Sequence, residues 1–354
     1  MIDRLLRSPA ATVVAAIGAG LLVLALGLAL LGHSPLAAFG ALGRGAFGSW
    51  YAISSATMVR AIPLMVLGLG FALAFRGGAF NIGMEGQFLV GAIAATWMGI
   101  QVGSLPGPIA WLLVLGAGAA AGALWVVVPV LLRIRFGVIE VITTLLLNFV
   151  AEALVSWMVQ GPMQEASRFY PQSDPIAVVA RLPVIPGTRL HLGFLLAVIL
   201  AGVLAIVFAR TVWGFQLKAV GLGPLAARVS GRINAGRLLA IALLLSGAIA
   251  GFGGALEVSG VTWALYQNLS PGYGFTAIAV ALLARGRPLG IVAAGLLFGA
   301  LEAGAGAMQR EAGIPSVAVY VAQATIILVV LLAEVIGRQR QSVAVFVESG
   351  PEVA

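Results

Sequence analysis

Long apolar runs recur along the whole chain, and short stretches between them hold most of the charge. An apolar run of about 20 residues is long enough to cross a hydrocarbon core of about 30 Å as a helix. Ten runs meet or approach this length, two of them visibly short: Ala10–Leu31, Ala61–Phe75, Gln87–Ile100, Pro108–Leu132, Val138–Val159, Leu192–Ala209, Leu238–Leu256, Phe275–Ala284, Leu289–Met308 and Val317–Ile336. The pattern predicts an all-α polytopic membrane protein with about ten transmembrane helices.

The basic residues predict how these helices are oriented. When the runs are threaded with alternating direction, most arginines and the single lysine fall on one side, as the positive-inside rule expects of cytoplasmic loops. Both termini are then cytoplasmic, with a transmembrane domain over 1–337 and a short cytoplasmic tail over 338–354. Helices two to five and seven to ten have opposite orientations, which is compatible with an inverted repeat.

Composition excludes several classes of protein. Of the 354 residues 61% are hydrophobic and only 9% charged, against about 25% charged in soluble domains, so a soluble globule is excluded. There is no cysteine and there are two histidines, so we expect neither a metal site nor a cofactor in this chain. Lipid head groups and topology account for the net charge of +8, so nucleic acid is not an expected partner.

The fifth run carries a stripe of polar residues spaced four apart. They are Glu140, Thr144, Asn148, Glu152, Ser156 and Gln160, with Thr143 beside them. Residues four apart lie above one another on a helix, and the stripe winds slowly round it. An ionised carboxylate near the bilayer centre costs at least about 2.5 kcal/mol. Two interpretations remain open, a path for a polar solute and hydrogen bonding between helices.

A polar, glycine-rich segment, Phe80–Gln87, separates the two short runs and contains Asn81 and Glu85. The backbone N–H and C=O groups of an irregular segment at membrane depth need hydrogen-bond partners from protein or water. Interrupted helices often mark transport sites. The alternative is a cytoplasmic hairpin beginning at Arg76. Before the eighth run, Trp263 and Tyr273 could stack on a planar solute, or they belong to an interfacial aromatic belt.

Two loops are long enough to receive partners. Residues 161–190 contain five prolines and would lie outside as an irregular segment. In the inner loop Pro224 can open a short helix of small residues, which could dock into a groove of another protein. No G-x-x-x-x-G-K-[ST] sequence occurs, so the chain has no P-loop of its own.

Four stretches together resemble the permease subunits of bacterial ABC importers for nucleosides and related simple sugars. They are Phe80–Gln87, Phe136–Thr144 with Asn148, Lys218–Gly231 and Gly272–Leu283. The resemblance covers most of the chain from about Ile53 to Glu334. Permeases for nucleosides, ribose-like sugars and branched-chain amino acids look alike in outline, so the branch is less specific than the family.

The resemblance implies a transport subunit, not an enzyme, in the inner (plasma) membrane of a bacterium. A cytoplasmic ATPase that binds ATP and magnesium would dock on an ATPase-coupling loop formed by Lys218, Gly221, Pro224, Leu225, Ala226, Ala227, Arg228 and Gly231. Leu225 stands where such loops often carry glutamate, so no salt bridge is expected there. An extracytoplasmic binding protein would deliver the small-molecule substrate, and a second homologous permease or another copy would complete the channel.

The substrate expected on this basis is a nucleoside. The residues expected near its path are Phe80, Asn81, Glu85, Gln87, Glu140, Thr143, Thr144, Asn148, Glu152, Trp263 and Tyr273. The alternatives are a simple-sugar or branched-chain amino acid permease, and a secondary transporter with Glu152 or Glu140 as proton carrier. A membrane enzyme is disfavoured because the sequence has no H-E-x-x-H or G-x-S-x-G motif.

Overall fold

The computed structural model describes residues 9–223, 225, 227, 233–330 and 332, with side chains from residue 14 onward. The predicted tail over 338–354 lies outside the described residues. So do four predicted coupling residues: Pro224, Ala226, Arg228 and Gly231.

The described chain is helical, with turns and two isolated bridges in place of strands. Its helices are α1 (Pro9–Leu30), α2 (Pro35–Phe47), α3 (Val59–Arg76), α4 (Met84–Gln101), α5 (Gly107–Trp125), α6 (Val127–Phe136), α7 (Glu140–Gln160), α8 (Gly193–Arg210), α9 (Val212–Leu222), α10 (Ala235–Glu257), α11 (Tyr273–Leu283), α12 (Pro288–Ala312) and α13 (Ala318–Val330). A π-helix leads into α3 and another extends α10. Each predicted apolar run contains a helix.

Six described helical stretches are long and apolar enough to cross a membrane: Ala52–Arg76, Gly107–Phe136, Glu140–Gln160, Gly193–Arg210, Ala235–Thr262 and Pro288–Ala312. Shorter apolar helices cover Val14–Leu30, Tyr273–Leu283 and Ala318–Val330. The all-helical membrane class is therefore confirmed. The count of ten spans and the cytoplasmic position of both termini stay predictions.

The contacts divide the chain into two compact units, one of the described residues up to Ala52 with those from Leu301, the other Ile53–Ala300. In the first unit α2 packs on the end of α12, where Arg44 donates to Glu311 at 2.7 and 3.1 Å. The apolar runs did not predict α2. Two sequence signals for the start of α2 were available. Ser34 caps the helix and accepts from the Ala37 amide at 3.4 Å, and Pro35 lies in its first turn.

In the second unit two glycine pairs bring helix backbones into contact. Added Cβ atoms on Gly118 and Gly122 of α5 would collide with the backbone of Gly251 and Gly247 on α10. On α12, a Cβ at Gly299 would lie 2.7 Å from the Thr57 carbonyl oxygen. Close approach of this kind is how helices pack in a membrane, and the structure supplies the neighbours that the sequence left open.

Candidate functional site

An irregular break of seven residues, 77–83, separates α3 from α4. Its centre is Asn81, which is fully buried. The Asn81 amide donates to Gln87 Oε1 and Ser246 Oγ, both at 2.9 Å, and its oxygen accepts from the Gly83 amide and Gln87 Nε2, both at 3.0 Å. Asn81 and Gln87 therefore join the break to α4 and α10 through protein hydrogen bonds.

Side chains of α7 satisfy further backbone groups of the break and of the first turn of α4. Asn148 Oδ1 accepts from the Gly86 amide at 2.8 Å, and Asn148 Nδ2 donates to the Ile82 carbonyl oxygen at 3.0 Å. Glu140, which is ion-paired with Arg133, accepts from the Phe80 amide at 3.1 Å. These bonds replace the helical partners that an interrupted backbone lacks.

The break contacts helix interiors as well as helix ends. Asn148 follows the start of α7 by eight residues, about 12 Å along a helix. Ser246 follows the start of α10 by eleven residues, about 16 Å. Both contact the break, as the interpretation of an interrupted helix expects, and the choice between that interpretation and a cytoplasmic hairpin stays a prediction.

Glu85 joins the N-termini of two helices. It lies in the first turn of α4, and its Oε2 accepts at 2.6 Å from the Gly274 amide in the first turn of α11. The Ser270 hydroxyl donates to the same carboxyl group and accepts from the Tyr273 amide at 3.0 Å. A Cβ on Gly274 would collide with the Glu85 backbone. Two positive helix ends thus converge on one buried carboxyl group.

The polar stripe of α7 divides between two environments. Glu140, Thr144 and Asn148 are buried, whereas Glu152 and Gln160 are exposed. Each step of four residues advances the helix by about 40° beyond a full turn. The half of the stripe from Glu152 to Gln160 is therefore rotated away from the break.

The exposed half joins other polar groups on one side of the unit. Ser156 accepts from Gln267 Nε2 at 3.1 Å, and Glu152 is close enough to Glu85 for their charges to interact. Tyr273 is half-buried, with its ring 6.0 Å from that of Phe88. We call Glu152, Ser156, Gln267 and Tyr273 the lateral polar face.

The remaining predicted path residues have local roles. The hydroxyl groups of Thr143 and Thr144 donate to the Glu140 carbonyl oxygen at 3.0 and 2.7 Å. Phe80 packs edge-on against Phe71, with 5.1 Å between ring centroids. Trp263 lies beneath the Arg181 guanidinium, at 4.7 Å from its ring, and has a left-handed backbone with φ of 57°.

The loop 161–190, which the sequence predicts to lie outside and which we call the outer loop, is hydrogen-bonded to the segment that leads into α11. The Ser173 amide donates to the Leu265 carbonyl oxygen at 3.0 Å, and the Ile176 amide donates to that of Trp263 at 2.8 Å. The Leu182 amide donates to the Ser259 carbonyl oxygen at 2.9 Å. Trp263 therefore belongs to a loop-to-segment junction, which the sequence did not predict.

The predicted coupling loop is described in part. Thr211 caps helix α9, because its hydroxyl accepts from the Gly214 amide at 3.0 Å, and Leu217 of this helix is fully buried. Lys218, Gly221 and Leu225 are exposed, and Ala227 is buried. The role of this segment in docking an ATPase stays a prediction.

Sequence reasoning missed several residues that complete these contacts. Ser246 and Ser270 are isolated serines in apolar or loop sequence, and no local pattern predicts their distant partners. The role of Gly274 depends on its close approach to the Glu85 backbone, and that approach is visible only in the structure. Among the described residues, no group of three or more histidine, aspartate or glutamate side chains gathers as a metal site would require.

Comparisons with known proteins identify the family. A family model for the permease component of the branched-chain amino acid transport system matches residues 53–332. The glucose ABC transporter permease protein TsgB13 of Haloferax volcanii is 36% identical over 348 residues, 95% of this chain and 90% of that protein. No solved structure matches the chain.

Permeases named for nucleosides are similar to a comparable degree. The guanosine permease protein NupP of Bacillus subtilis is 34% identical, over 93% of this chain and 94% of that protein, and NupQ of the same organism is 29% identical, over 70% and 79%. The break, the two converging helix N-termini and these sequence similarities all indicate a permease. The chain belongs to the family of ABC transporter permeases that includes the permease component of the branched-chain amino acid transport system.

Proposed function

We propose that this permease subunit moves nucleosides into the cell, with energy from a separate ATPase subunit. The observation that supports a solute path is the convergence of α4 and α11 on Glu85 beside the lateral polar face. Discontinuous helices whose N-termini meet are an arrangement that many transporters use for solute sites.

The lateral polar face is the proposed wall of the path. Glu152 lies twelve residues into the 21-residue helix α7 and is exposed, and hydrocarbon cannot cover a carboxylate there without a cost of at least about 2.5 kcal/mol. Water, solute and a second permease subunit can cover it. The similarity to both NupP and NupQ supports a pair of homologous permeases, with the path between them.

The buried residues of the break have a different proposed role. Asn81, Gln87 and Asn148 already bond to protein groups, so they hold the break in shape. Glu152 and Tyr273 are the proposed solute contacts, because a carboxylate accepts from hydroxyl groups and an aromatic ring stacks on a base or a sugar face.

A simple sugar is the second candidate, favoured by the 36% identity to a permease named for glucose. Nucleosides and glucose both carry vicinal hydroxyl groups, so a carboxylate beside an aromatic ring suits either. In both cases an extracytoplasmic binding protein would dock on the outer loop, ATP and magnesium would bind to the ATPase, and the membrane would be a bacterial plasma membrane.

Uptake of radiolabelled guanosine and glucose into cells expressing the complete system tests these proposals. We expect guanosine uptake that is lost with an inactive ATPase and persists with a protonophore. Uptake of glucose alone would favour the sugar alternative. Uptake that survives loss of the ATPase and collapses with the protonophore would contradict the ABC mechanism and favour a proton-coupled transporter.

A further inference from the structure

We infer that a backbone contact between Gly78 and Gly221 carries the motion of the ATPase-docking segment to the translocation break. The inference rests on the proposed function, because it requires an ATPase docked near α9. It assigns a positioning role to two glycines that lie outside the polar network.

The geometry of this contact leaves no room for a side chain. A Cβ on Gly221 would collide with the Arg76 carbonyl oxygen and lie 3.2 Å from the Gly78 amide nitrogen. A Cβ on Gly78 would lie 3.3 Å from the Gly221 Cα. Gly221 does not have a positive φ, so the close contact, and not backbone strain, requires glycine there.

Side chains of α9 secure the same junction. Leu217 is fully buried, and a Cβ on Gly77 would lie 2.7 Å from its Cδ1 atom. Val220 is also buried. The end of α9 and the turn after α3 are therefore packed together, so a displacement of α9 displaces the turn.

A cavity of about 430 Å³ borders this junction and the start of α10. Its wall includes Gly78, Gly221 and Leu225, and at the start of α10 Gly236 and Leu239. The end of α9 can shift into this space without first displacing the packed side chains of α10. Close packing toward the turn and free space toward α10 suit an element that moves together with the turn.

The turn connects directly to the site. The Gly77 and Ala79 amides donate to the Ala74 carbonyl oxygen at 3.0 and 3.1 Å, which holds the turn on the end of α3. The next residue, Phe80, donates its amide to Glu140, and Asn81 begins the buried network. A shift at Gly221 thus reaches the network within four residues of Gly77.

The test is made on the complete complex in proteoliposomes, where ATP hydrolysis and solute uptake are both measured. With Gly221→Ala we expect the ATP hydrolysed per solute transported to rise at least tenfold, because the added methyl group separates α9 from the turn. Gly202→Ala, on α8, is the matched control, since a Cβ there meets nothing within 4 Å. An unchanged ratio in Gly221→Ala would overturn the inference.

A second variant keeps the test valid if Gly221→Ala fails to assemble. Gly236→Trp leaves the Gly78 contact intact and fills the cavity. We expect hydrolysis stimulated by the binding protein and uptake to fall together, about tenfold, with their ratio preserved. Full activity of Gly236→Trp would contradict a shift into the cavity. If the wild-type complex shows no ATP-dependent uptake of nucleosides or sugars, this result would instead contradict the proposed function.

Discussion

Asn81 carries the densest set of hydrogen bonds at the break, with Gln87, Ser246 and the Gly83 amide as partners. Replacement by leucine leaves the buried Gln87 amide and Ser246 hydroxyl without this partner. Each unpaired buried group costs about 1–3 kcal/mol. We expect Asn81→Leu to lower the Tm in detergent by several degrees more than Ser246→Ala. An unchanged Tm would show that the network does not hold the break.

Glu152 is the contrasting residue, because it is exposed and belongs to the lateral polar face, away from the buried network. We expect Glu152→Gln to reduce solute uptake about tenfold, the loss expected for one hydrogen bond to a charged group, while the Tm stays within a degree or two. Gln160→Ala, two turns further along α7, is the control and should transport normally. Equal loss in both variants would assign the effect to the helix and not to the carboxylate.

His191 predicts a pH dependence of stability. It is buried just before α8, where its Nδ1 accepts from the Gly193 amide at 3.2 Å, and burial lowers its pKa from 6.5 to about 4. Between these pH values the unfolded chain binds a proton that the folded chain does not. Stability is therefore complete above pH 6.5 and falls as pH decreases toward 4, by about 3 kcal/mol at most.

Unfolding in detergent between pH 8 and 4.5 measures this effect. We expect the stability of wild type to decline below pH 6.5 and that of His191→Gln to decline much less over the same range. Parallel curves for the two proteins would exclude His191 as the source of the acid sensitivity.

At the scale of helices, backbone contact between α5 and α10 predicts which glycines tolerate substitution. Gly118→Leu places a side chain against the Gly251 carbonyl oxygen, whereas a Cβ on Gly116 of the same helix meets nothing within 4 Å. We expect Gly118→Leu to destabilise the protein by about 3 kcal/mol or to prevent its assembly, and Gly116→Leu to be neutral. Similar Tm values for the two variants would contradict the contact.

The sequence predicts the helices better than it predicts their partners. Apolar runs are local patterns, so each one contains a helix, although α2 was missed because it is short and mixed in composition. The stripe from Glu140 to Gln160 was also visible. Which half of that stripe is buried depends on contacts with Ile82 and Gly86, 66 and 62 residues before Asn148, and local patterns do not encode such pairings.

The second unit uses similar contacts twice. An irregular segment separates α3 from α4, and another separates the extended α10 from α11. Glycines of α5 pack on α10, and glycines of α12 pack on α3. Reciprocal contacts of this kind are what an inverted repeat requires, and small residues alone can preserve them. Weak similarity between the two halves is therefore compatible with such a repeat.

The outer loop and the segment before α11 are expected to move as one body during transport. Gln172 and Tyr266 form an antiparallel bridge, and such residues lie close enough for a disulfide to join them. The chain has no native cysteine, so the pair Gln172→Cys and Tyr266→Cys can be oxidised without competing thiols.

We expect the oxidised double variant to keep at least half of wild-type uptake, because the disulfide only reinforces a junction that four backbone and side-chain hydrogen bonds already hold. The two single-cysteine variants and the reduced form are the controls. If oxidation abolishes uptake and reduction restores it, the loop must separate from the segment in each cycle. Signals from a docked binding protein would then reach α11 through release of the loop, whereas retained uptake means that they travel through the intact junction to Ser270 and Glu85.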